Sequence, residues 1–173
     1  MNLSEWQDCP AQQARTLCAH FQGIADTRMR GLPFLNQQLV VEALGFSAQI
    51  AGENAATGVL GILITPWFMN LIWVPENTDT ILAQGASGEH QFGGQCLSFI
   101  GADGEDIGGY ESCSLFSPMF EFADQDAARQ TAEQVLALLR DAPERPPERP
   151  AISRRGLLFG RSEERRVGEE CME

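Results

Sequence analysis

The run Ile62-Leu63-Ile64-Thr65-Pro66-Trp67-Phe68-Met69-Asn70-Leu71-Ile72-Trp73-Val74-Pro75 constrains this chain more than any other stretch, because it is almost unbroken apolar sequence bent in the middle by a proline. Proline has no N–H to give to a sheet ladder. The run is therefore expected to form a buried strand ending near Thr65, a bulge or bend at Pro66, and a second strand that Pro75 terminates. Interrupted in this way, it is too short to span a bilayer. The pattern recurs from Tyr110 to Phe122, where a strand is closed by Ser117 and Pro118. In both places large apolar side chains follow the kink: Trp67, Phe68 and Met69 in the first, Met119 and Phe120 in the second.

Helical signals flank these strands. After Asp8 and Pro10, the residues Ala14, Leu17, Cys18, Phe21, Ile24 and Ala25 fall on one helical face, and Gly31 with Pro33 stops a helix of about five turns. Leu39–Phe46 and Ala48–Ala51 are modest strand candidates around Gly45, and Glu53-Asn54 reads as a turn before the main strands. A short helical turn is expected over Thr78–Gln84, followed by a mobile loop marked by Gly85, Gly88, Gly93 and Gly94. Cys96–Gly101 and Ile107–Phe116 flank Asp103-Gly104 and should pair as an antiparallel hairpin. The last helix starts with Asp124 as N-cap, carries Ala128, Ala132, Val135, Leu136 and Leu139 on one stripe, and ends before Pro143. Helix, strands and helix in this order predict an α+β two-layer sandwich, a mostly antiparallel sheet covered by an N-terminal and a C-terminal helix.

With 43% hydrophobic residues, a chain of 173 residues can bury the core of one domain. Against 24 acidic side chains there are only 12 basic ones, a net charge of −12 that repels nucleic acid and anionic membranes and favours a basic partner. The N-terminus carries acids where a secretory signal has lysines, and no apolar core follows, so the chain is expected to stay in the cytoplasm. Cys9, Cys18, Cys96, Cys113 and Cys171 are too widely spaced for a Cys-x-x-Cys site, and no metal or other cofactor is expected. Cys96 and Cys113 read most simply as buried, reduced thiols on strands. A nucleophilic Cys113 is the sharper alternative. It needs a histidine beside it, and the sequence offers only His20 and His90.

Three separated blocks, Ile64-Thr65-Pro66-Trp67-Phe68-Met69, Tyr110-Glu111-Ser112-Cys113-Ser114-Leu115-Phe116-Ser117-Pro118 and Ser153-Arg154-Arg155-Gly156-Leu157-Leu158-Phe159-Gly160-Arg161, together resemble the NiFe-hydrogenase assembly chaperones of the HybE/HupJ type. The resemblance covers Leu17 to Arg161 and is weakest in the first helix and the proline-rich stretch. It implies a non-enzymatic maturation factor that binds hydrogenase subunits: the small subunit through its twin-arginine export signal, with the large subunit left open. Some members of this family carry an attached rubredoxin, whose iron needs paired Cys-x-x-Cys hairpins, and this chain has neither pair.

Four regions follow from the resemblance and the composition together. Residues 1–142 form the chaperone domain, and 143–151 are a charged, proline-rich linker of polyproline type. Residues 152–161 look like the twin-arginine signature, Ser-Arg-Arg-x followed by two apolar residues, and 162–173 depart from the family and read as foreign to it. In its plainer reading the basic, apolar tail merely folds back on the acidic domain. In the sharper one, Arg154 and Arg155 mimic the client and occupy its groove when no client is bound.

The competing enzyme reading, a small thiol-dependent enzyme centred on Cys113, lacks a phosphate loop, metal spacing and a base for Ser112 or Ser114. Partner contacts are therefore sought around the kinks, at Trp67, Met69, Ser117, Pro118 and Met119, with Glu111, Glu121 and Asp124 as carboxylates for the client's arginines. Glu111 and Glu121 read as solvated faces, and Trp67, Phe68 and Met69 are side chains found more often in cores than in interfaces, as Trp73 is more strongly still.

Overall fold

Strands that are apolar on both faces need cover on both sides. The computed structural model describes residues 3–52 and 55–141. Helix α1 (Leu3–Asp26) is followed by β1 (Glu42–Ala51), β2 (Ala56–Ile64), β3 (Met69–Pro75), a 3-10 turn at Thr78–Thr80, β4 (Ser87–Phe92), β5 (Gln95–Gly104), β6 (Gly108–Phe116) and α2 (Gln125–Asp141). The strands form one sheet in the order β1-β2-β3-β6-β5-β4, and every neighbouring pair is antiparallel.

The α+β class and the two covering helices are as expected. The helices take opposite faces, so that the two-layer packing occurs twice and the molecule is three layers deep. Leu17 and Phe21 of α1 pack with Leu63 and Ile72 on one face. On the other, Ala128, Ala132, Leu136 and Leu139 of α2 meet Leu60, Ile62, Ile64, Met69, Leu71 and Trp73. The alternation of these residues along β2 and β3 is the period of a strand. Trp73 has no exposed surface, and a side chain of that size buried whole stabilises the fold by roughly 3 kcal/mol. Edge strands β1 and β4 meet at one point, where the Gly52 N–H donates to the Gln91 carbonyl at 3.0 Å, so the sheet is curled around the α2-side core.

Several boundaries differ from expectation. Helix α1 contains Pro10 rather than starting beside it, forgoing the one ladder bond that proline cannot donate. The two strand candidates around Gly45 are one strand with a bulge between Leu44 and Ser47. The glycine-marked loop is a strand and a hairpin. Gly93 and Gly94, both with positive φ (52° and 75°), make the two-residue turn between β4 and β5, a backbone that only glycine adopts at no cost. The expected β5–β6 hairpin forms, but Gly104 pairs with Gly108 and the turn lies at residues 105–107, just past Asp103-Gly104. The Glu53-Asn54 turn falls outside the described residues.

Candidate functional site

Thr65 turns the long apolar run back on itself. Its N–H and hydroxyl both donate to the Phe68 carbonyl (2.8 and 3.0 Å), and its Oγ1 accepts from the Phe68 N–H at 2.9 Å. With Thr65 wholly buried, the bend at Pro66 is a complete hairpin reversal that holds Pro66 and Trp67 at its tip.

Asn36 ties this tip to the second kink. Its backbone N–H donates to the Pro66 carbonyl at 2.8 Å, while its side-chain Nδ2 donates to the carbonyls of Met119 (2.9 Å) and Phe122 (2.8 Å). Ser117 adds a long bond from its hydroxyl to the Trp67 carbonyl at 3.4 Å, and Met69 pairs with Phe116 across β3 and β6. The two strand-proline kinks, 52 residues apart from Pro66 to Pro118, therefore form one structure at one end of the sheet.

Three of the exposed large apolar side chains belong to the segments that carry these turns. Val40 and Phe120 are each 59% exposed and Phe34 is 42% exposed, while Trp67 and Phe68 are half-buried and meet edge to face at 5.6 Å. Beside Trp67 a pocket of about 220 Å³ is lined by Pro66 and by the end of α1 and the segment after it, including Asp26, Arg30, Leu35, Asn36 and Val40. Arg129 is held by Glu42 at 2.9 Å and by Asp126. The hydrogen bond to Glu42, then its charge, pushes the Arg129 pKa up. Asp26 and Glu121 have no ion-pair partner among the described residues.

The residues expected at a partner site divide by burial. Trp67 lies half-buried at the hairpin tip, and Ser117, Pro118, Glu121 and Asp124 are exposed around the second kink. Asp124 is also the N-cap of α2, its Oδ1 accepting from the Ala127 N–H at 2.8 Å. Met69 and Met119 have no exposed surface: alternation along β3 turns Met69 into the α2-side core, and Met119 is tucked under Asn36. Glu111, read from the sequence as a solvated face, is also wholly buried. Arg154 and Arg155 lie outside the described residues.

The burial of Glu111 comes from partners distant in sequence. Its Oε1 accepts from the Leu82 N–H at 3.0 Å, and its Oε2 lies 2.5 Å from His90 Nε2, whose ring packs against Trp73, Phe92 and Phe99. Gly101 makes room for this arrangement. A Cβ there would lie 2.3 Å from the Leu82 carbonyl oxygen, so only glycine lets residues 82–83 lie against β5 and offer an N–H to Glu111. The alternation Glu89, His90, Gln91, Phe92 is the one sequence signal that points His90 inward, since Glu89 and Gln91 are exposed and Phe92 is buried.

Cys96, expected from the sequence to be buried, is exposed on β5, because its side chain falls on the outer face of that strand, whereas Cys113 is half-buried on β6. Burial pushes the Cys113 thiol up, which lowers its thiolate fraction, and the only histidine on β4 is engaged with Glu111. Among the described residues no group of three or more His, Cys, Asp and Glu could hold a metal, and no helix is long and apolar enough to cross a membrane.

Residues 12–160 match the family model described as NiFe-hydrogenase assembly, chaperone, HybE. Protein HoxT of Cupriavidus necator is 46% identical over 171 residues, covering 93% of this chain and 96% of that protein. Hydrogenase expression/formation protein HupJ of Bradyrhizobium diazoefficiens is 41% identical over 157 residues, 87% of this chain and 89% of that one. The solution structure of HybE from Escherichia coli superposes with a TM-score of 0.54 at 23% identity, over 90% of this chain and 91% of the other, and so shares its fold.

Proposed function

The chain belongs to the HybE family of NiFe-hydrogenase assembly chaperones, and we propose that it receives the twin-arginine signal of a hydrogenase small subunit at the paired kinks, before export from the cytoplasm. The reading is non-enzymatic. The observation that carries it is the meeting of the two strand-proline turns through Asn36, which gathers Trp67, Phe120 and Val40 beside an open pocket. An apolar segment preceded by arginines has the chemistry for such a place: apolar side chains for the pocket, and cations for the unpaired Asp26 and Glu121. The raised Cys113 thiol favours no competing thiol chemistry.

Binding of a labelled small-subunit signal peptide to the full chain, followed by fluorescence anisotropy, tests this. Trp67→Ala should weaken binding by about 2 kcal/mol, roughly thirtyfold, as for an aromatic anchor. Glu121→Gln removes an exposed charge and should cost severalfold at low salt and little at high salt. Affinity indifferent to both substitutions in folded protein would remove the kinks from the signal site.

A further inference from the structure

The arginines of this chain are unevenly placed. Residues 1–141 hold 17 acidic side chains and five arginines, whereas residues 142–161 hold five arginines and only two glutamates. The excess negative charge thus belongs to the domain, and the stretch that follows α2 is cationic. That stretch also has its own apolar group, Ile152, Leu157, Leu158 and Phe159, set around Arg154 and Arg155.

We infer that residues 152–159 dock in cis into the pocket beside Trp67, where they exclude a client until it displaces them; this rests on the pocket being the signal site. Reach permits it. The start of α2 abuts the pocket, since the Gln125 side chain accepts from the N–H of Val40, a lining residue, at 3.0 Å. The 17 residues of α2 carry the chain about 25 Å away from there. Residues 142–152 can span at most about 36 Å when extended, enough to run back along the helix and deliver Ile152 to the pocket. Charge favours the same end point. Arg30 places one cation in the lining, so the carboxylates open to Arg154 and Arg155 are Asp26 in the lining and Glu121 on the neighbouring turn, with Asp124 beside it capping α2. Phe34, Val40 and Phe120 remain as exposed apolar surface for Leu157, Leu158 and Phe159 to cover.

A tether of this length sets an effective concentration of about 1 mM, so a tail with an intrinsic Kd of a few tenths of a millimolar fills the pocket most of the time. Two measurements on the full chain test the docking. The first replaces Val40 with p-benzoyl-phenylalanine, with the fold checked by circular dichroism, and maps photo-crosslinks by mass spectrometry. Crosslinks to residues 152–159 within one chain are the expected result, and they should weaken when Arg154 and Arg155 are both changed to Ala. The second titrates a synthetic twin-arginine signal peptide against wild type and that double variant, and the variant should bind about three- to tenfold more tightly. Crosslinks that join two chains, or reach no residue of 152–159, overturn the docking, as does unchanged peptide affinity. A peptide that binds neither protein while the intramolecular crosslink forms leaves the docking standing and removes the signal-binding reading instead.

Discussion

A carboxylate without exposed surface has to use both oxygens inside the protein, and Glu111 does so with the Leu82 N–H and His90. Glu111→Ala strands both partners in an apolar setting and should destabilise the fold by about 3 kcal/mol in urea unfolding. Glu111→Gln keeps an oxygen for Leu82 and should lose clearly less; equal losses would mean that volume rather than hydrogen bonding decides the site. Cys113 behaves in the opposite way. With its thiol pushed above the ordinary value of 9.0 by burial, its thiolate fraction is below that of a free cysteine at any pH below the raised value. The Cys96 thiol is raised too, beside Glu89, but it is exposed, so alkylation followed by mass spectrometry at pH 8 should find half-buried Cys113 slower on access, and Cys113→Ser should leave signal-peptide affinity within about twofold. Loss of function in a folded, client-binding Cys113→Ser protein would restore the thiol-enzyme reading.

At the scale of elements, helix α2 and the β2–β3 pair were legible because their signals are local: an Asp124 cap, an apolar stripe, and strands of the right length around Thr65-Pro66. Strand β4 was not, since four glycines in ten residues read as a loop until sheet pairing recruits them. The candidate site was legible in half. Both kinks could be seen, but not their meeting, which depends on Asn36 in a segment with no periodicity. Glu111 misled because its cover comes from residues 82 and 90: strand order brings His90, and the segment that Gly85 and Ala86 bond to Gly101 brings Leu82. The β4–β5 turn also supports the end of α2: a Cβ on Gly93 would lie 1.9 Å from the Leu139 carbonyl oxygen. Gly93→Ala, clashing and at positive φ, should cost about 2 kcal/mol and raise amide exchange in the last turns of α2. Exchange unchanged there would show that helix and turn are independent.

For the whole molecule, the core clusters among the described residues run from Leu17 to Leu139, and truncation after Ala142 should leave a cooperative fold. If residues 152–159 fill the pocket most of the time, their loss removes about 1 kcal/mol of linked stability, a fall in Tm of about 2–4 °C by calorimetry. A fall beyond 10 °C would make the tail part of the core. The hydrogen bond from Gly52 to Gln91 bears on how such a protein can work among unfinished polypeptides. A sheet with free margins offers unpaired amides and carbonyls, a template on which any extended segment can add itself as another strand. Here the two margins bend toward each other and join at one point, so that where they meet the sheet has no place left for a guest strand. An assembly chaperone built in this way presents side chains, not free backbone, at that corner of its sheet.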